Sequence, residues 1–75
     1  MAAAGFIFEH IQPNEHALDG QLKRMIIVVA DSEEDAAGFI RRDFPAGEFT
    51  LDSSGDDPLS IAKRWGLSLG HPVVM

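Results

Sequence analysis

The chain has no cysteine, no tyrosine and a single tryptophan among its 75 residues. Without cysteine there are no disulfides, thiolate nucleophiles, zinc–thiolate sites or iron–sulfur clusters. Small extracellular domains usually compensate for a thin core with disulfides, so a reducing, cytoplasmic setting is expected. Long apolar runs are also missing. The longest, residues 25–30, has six residues, far short of the roughly 20 that cross a bilayer. The opening Met1-Ala2-Ala3-Ala4-Gly5 has neither the basic flank nor the apolar stretch of a secretory signal. Basic residues are scarce too, six Lys and Arg against twelve Asp and Glu, for a net charge of −6. Nucleic-acid affinity rests largely on cations facing phosphate, so that role is not expected. The charge favours a soluble chain with basic or neutral partners. Phosphate-binding glycine loops are absent, and none of Ser32, Ser53, Ser54, Ser60 and Ser68 is expected in a Gly-x-Ser-x-Gly nucleophile elbow. No cofactor is expected.

What is present describes a globular domain. Hydrophobic residues make up 45% of the chain, an ordinary level for a folded core. Residues 1–5 read as a flexible end, and 6–75 as one small domain. Phe6-Ile7-Phe8-Glu9-His10-Ile11-Gln12 is rich in strand formers and runs into Pro13, which cannot donate to a ladder. Residues 14–24 carry two readings. Asp19-Gly20 is a hairpin signal, while Asn14 could cap a helix with Ala17, Leu18, Leu22 and Met25 on one side. The hairpin or loop is preferred, because the helix would contain Gly20 and run into a strand with no connector. Residues 23–30 form the clearest strand. Its stretch Met25-Ile26-Ile27-Val28-Val29-Ala30 has no polar alternation, which calls for cover on both faces.

Asp31 or Ser32 then caps a helix with Glu33, Glu34 and Asp35 at its positive end and Arg41 and Arg42 at its negative end. Ala36, Ala37, Ile40 and Phe44 follow helical spacing on its inner side. Residues 48–52 alternate as a short strand, and 53–56 read as a loop. Asp57 as cap with Pro58 at the first helical position marks a second helix. Leu59, Ile61, Ala62 and Trp65 form its buried side, and Gly66 stops it in a left-handed conformation. Val73-Val74-Met75 suggests a last strand.

The expected fold is therefore α/β (α+β), in the order β-β-α-β-α-(β): a two-layer sandwich with a sheet of three to four strands and two helices on one face. Right-handed crossovers would give the strand order 1-2-3-4, with the third strand parallel beside the second. The other face of the sheet would then lie open, which conflicts with an apolar central strand. A partner chain or a second copy would cover it, through a surface including Phe6, Phe8, Ile27, Val29, Val73 and Val74. The uncharged end at Val73 and Val74 offers a second route, strand-edge pairing.

Other residue groups have simpler explanations. His10, His16 and His71 lack the spacing of a metal site, and no metal is expected. Residues 52–57 are acidic with a glycine, but glycine comes fourth and Lys63 stands where a calcium loop needs glutamate. The doublets Lys23-Arg24, Arg41-Arg42 and Lys63-Arg64 could form a split anion patch. Helix-dipole and edge-charge roles account for them more simply. Trp65 is expected as a core anchor. The function expected is a non-enzymatic protein-binding or regulatory module working as a homodimer or with another protein. Two alternatives differ in class: a small enzyme or ligand binder with its site at a dimer interface, and an acidic inhibitor whose clusters at 31–35 and 52–57 mimic nucleic acid. Ligand-induced shifts of histidine resonances would single out the first alternative. Competition with DNA for a basic protein would single out the second.

Overall fold

The computed structural model describes residues 3–16 and 18–75. The elements are β1 (Ala4–Pro13), β2 (Gln21–Ala30), α1 (Glu33–Asp43), β3 (Glu48–Gly55), α2 (Asp56–Arg64) and β4 (Val73–Val74). The mixed fold class and the element order match the sequence reading. Of the expected flexible end 1–5, Met1 and Ala2 lie outside the described residues. Ala4 and Gly5 belong to β1. Ala17 is likewise outside.

β1 and β2 form a hairpin, in register from Ala4 opposite Ala30 to Pro13 opposite Gln21. Residues 14–20 connect them and are closed by the Asn14 N–H donating to the Gly20 carbonyl at 2.9 Å. Asn14 Oδ1 accepts from the His16 N–H at 2.9 Å and Asp19 Oδ1 from the Gln21 N–H at 3.1 Å, the local bonds that make Asn and Asp turn residues.

Two expectations about arrangement need correction. The strand order is β3-β1-β2-β4, with every pair antiparallel. β3 runs parallel to β2, but β1 lies between them. The ten-residue β1 has a second free edge, and the chain crosses over to it rather than adding beside β2. The return through α2 crosses the sheet in the opposite direction, and the helices lie on opposite faces instead of sharing one. Strand alternation shows this directly. Phe6, Phe8, Ile26, Val28 and Ala30 pack with Ala36 and Ile40 of α1, whereas Ile7, Ile27 and Val29 pack with Ala62 of α2. The apolar run at 25–30 thus finds its two covers inside the chain.

At the start of α1, Ser32 Oγ accepts from the Asp35 N–H at 3.1 Å. The start of α2 differs from expectation. β3 extends through Ser53 and Ser54, and the cap is Gly55 at φ 110°, with no side-chain cap bond. Asp57 is therefore not the cap, and Pro58 sits at the third helical position, two deeper than expected. A strand that turns straight into a helix needs the backbone freedom of glycine there. The corner rests on Gly5, where a Cβ would overlap the backbone of Pro58 and Leu59. α2 ends as expected: the Leu67 N–H donates to Ala62 and the Gly66 N–H to Lys63, with Gly66 left-handed. Trp65 is the C-cap and stands 47% exposed, because it lies past the last buried position, Ala62. It is not a core anchor. Among the described residues no helix is long and apolar enough to cross a membrane.

Candidate functional site

The six residues expected on an interaction surface separate into two groups. Phe6, Phe8, Ile27 and Val29 are buried beneath the chain's own helices, so they form no exposed face. Val73 is half-buried and Val74 is 42% exposed. The open parts of the sheet are its two edges.

These edges differ. β3 presents Glu48, Asp52 and Thr50 to solvent. Its register with β1 shifts between Ile7 and Phe8, which face Ser53 and Leu51 and leave Asp52 as the extra residue of a bulge. Charge and a bulge are standard guards against pairing with another chain. The β4 edge has neither. Leu69 bridges to Val29, the Gly70 N–H donates to the Val29 carbonyl at 2.8 Å, Val73 and Val74 pair with Ile27 and Ile26, and the Met75 N–H donates to Met25 at 2.8 Å. Leu69, Val74 and Met75 are each more than 40% exposed. Residues 69–75 contain no Asp, Glu, Lys or Arg.

The three histidines do not converge. His16 is in the hairpin loop beside Glu15, and His71 is exposed between α2 and β4. His10 is 1% exposed. Its Nε2 lies 2.7 Å from the Ala46 carbonyl. A carbonyl only accepts, so Nε2 carries the proton and Nδ1 is left as the acceptor for Arg24 Nε at 3.5 Å. Arg24 Nη2 donates to Gln12 Oε1 at 2.9 Å, and its guanidinium carbon lies over the Phe44 ring, 5.5 Å from the centroid. No group of three or more His, Asp and Glu gathers among the described residues.

The fold brings two of the three basic doublets to one end of α1. Phe49, His10 and Arg24 form one rung across β3, β1 and β2. Above it, Phe44 meets His10, and Arg41 covers Phe49 at 5.5 Å. Arg42 grips both oxygens of Asp43, at 2.8 and 3.3 Å, and also donates to the Gly70 carbonyl at 2.7 Å. That hydrogen-bonded pairing holds the Asp43 carboxyl below its usual range and raises Arg42 above its own. Lys63 and Arg64 end α2, on the other face. A recess of about 170 Å³ opens among His10, Gln12, Arg24, Asp43, Phe44, Pro45 and Ala46. A broader trough lies at the hairpin base, lined by Ile11, Pro13 and Glu48 among others.

Sequence reasoning missed the His10–Arg24–Gln12 array. The signal available was the alternation of Phe8, His10 and Gln12 on one face, but pairing His10 with Arg24 requires the hairpin register. It also passed over Gly66-Leu67-Ser68-Leu69-Gly70, which does spell the Gly-x-Ser-x-Gly pattern. The structural context is the reverse of a nucleophile elbow: the segment leaves a helix and leads to a strand. Ser68 and His71 meet only through the His71 N–H and the Ser68 backbone carbonyl, at 3.3 Å. Comparison with family models, with curated proteins and with solved structures finds no match for the chain.

Proposed function

We propose that the chain is a non-enzymatic protein-binding module that adds a partner strand, from a second copy or from another protein, along the β4 edge. The carrying observation is the contrast between the two edges. β3 has charge and a bulge, while β4 ends the sheet with no strand beyond it among the described residues and lies beside exposed Leu69, Val74 and Met75. Strand addition of this kind draws affinity from main-chain hydrogen bonds and specificity from alternate side chains.

Light scattering between micromolar and millimolar concentration tests self-association. A mass rising above 8.2 kDa that Val74→Lys abolishes supports the second copy. If the mass stays monomeric, site-specific crosslinking from position 74 in cells decides between another partner and none. A discrete adduct lost in a Leu69→Lys variant supports the reading, and the absence of any adduct sinks it.

A further inference from the structure

We propose that the recess beside Arg24 is a binding site for an oxyanion group, a carboxylate or a phosphate, taken up by the Arg24 guanidinium. This goes beyond the edge-binding role and rests on different residues.

Arg24 is fixed on three sides. Nε donates to His10 Nδ1, Nη2 donates to Gln12 Oε1, and the guanidinium carbon lies over the Phe44 ring, 5.5 Å from its centroid. A guanidinium carries five N–H groups in a rigid fork. Two are used in these bonds, and the fork is held in place before any ligand arrives. Among the described residues no carboxylate stands within ion-pair distance of it. The ion pairs among the described residues are His16 with Glu15 and Arg42 with Asp43. Asp43 is the one carboxylate lining the recess, and Arg42 occupies both its oxygens. A chain with twice as many acids as bases still leaves this half-buried arginine without a carboxylate. Arg41, over Phe49 at the same end of α1, has no ion-pair partner there either and adds a second positive charge.

Size narrows the ligand further. The recess measures about 170 Å³, below the roughly 300–1,000 Å³ of pockets that enclose a drug-sized molecule. It admits a single group. Arginine forks match carboxylate and phosphate oxygens two at a time, and the Gln12 amide nitrogen, whose carbonyl oxygen already faces Arg24, supplies a further donor.

The test is a titration of the intact, ¹⁵N-labelled chain with sodium acetate and, separately, with inorganic phosphate, each against sodium chloride at equal ionic strength. Saturable shifts are expected at the Arg24 Nε–H, the Gln12 side-chain amide and the Ala46 backbone amide, and absent with chloride. Saturation by acetate identifies a carboxylate source, and saturation by phosphate alone identifies a phosphate source. Arg24→Lys keeps the charge but loses the fork and should weaken binding about tenfold, while Arg41→Gln should weaken it less. Identical shifts with chloride, no saturation with either anion, or undiminished binding in Arg24→Lys overturns the proposal. The wild-type arms decide by themselves if a variant fails to fold.

Discussion

Gly5 lies directly under the backbone of Leu59, so close that a Cβ at position 5 would overlap the Pro58 carbonyl carbon and the Leu59 nitrogen. Gly5 also pairs with Gly55 in the neighbouring strand, so the corner from β3 into α2 is seated on a strip of bare backbone. Gly5→Ala should push α2 off the sheet. Overpacking of this kind costs about 1–3 kcal/mol. Urea denaturation of the variant measures it, and an unchanged midpoint would show that the helix does not approach β1 as described.

Ile26 and Ile27 are adjacent in sequence and each is 0% exposed, yet they belong to different clusters, one under α1 and the other under α2. Ile26→Ala and Ile27→Ala should therefore both be costly, each by about 2–5 kcal/mol. A sheet covered on one side only would suffer at one position and tolerate the other. Paired denaturation curves separate the two cases.

Asp43 links folding to acid. Its carboxyl is lowered first by the Arg42 hydrogen bond and then by the charges of Arg42 and His71. A group depressed in the folded state stabilises above its unfolded pKa, about 3.9 for aspartate, and loses that contribution as pH falls through the lower folded value. The contribution is small, because the pair is solvent-exposed and screened. Asp43→Asn should narrow the difference in melting temperature between pH 7 and pH 3 relative to wild type. An unchanged difference would show that the pair does not contribute.

Much of this architecture was legible beforehand because local chemistry fixed it. Ser32 caps α1, Gly66 closes α2, and the apolar run at 25–30 demanded two covers. The strand order was not legible. Nothing in residues 44–48 says which side of the hairpin β3 will join, since both edges offer the same backbone groups. Placing β3 beside β2 then put both helices on one face and left an open apolar surface that the molecule does not have. Of the six residues assigned to that surface, only Val73 and Val74 reach the exterior. The Arg24 recess depended on register as well. Arg24 reads as an edge charge until the loop at 14–20 sets it opposite His10.

The central position of β1 also shapes the order of assembly. It meets β2 across a short loop, but its bonds to β3 join residues as distant as Gly5 and Gly55. Closing a longer loop costs more entropy, roughly 0.6 kcal/mol per doubling of length, so the hairpin forms cheaply and β3 docks onto a strand already half-paired. Destabilising changes in the hairpin away from that seam, such as Ile26→Val on β2, should slow folding. Changes at the β1–β3 seam, such as Phe49→Leu, should instead speed unfolding. Stopped-flow rates that show the reverse would mean that the long closure comes first.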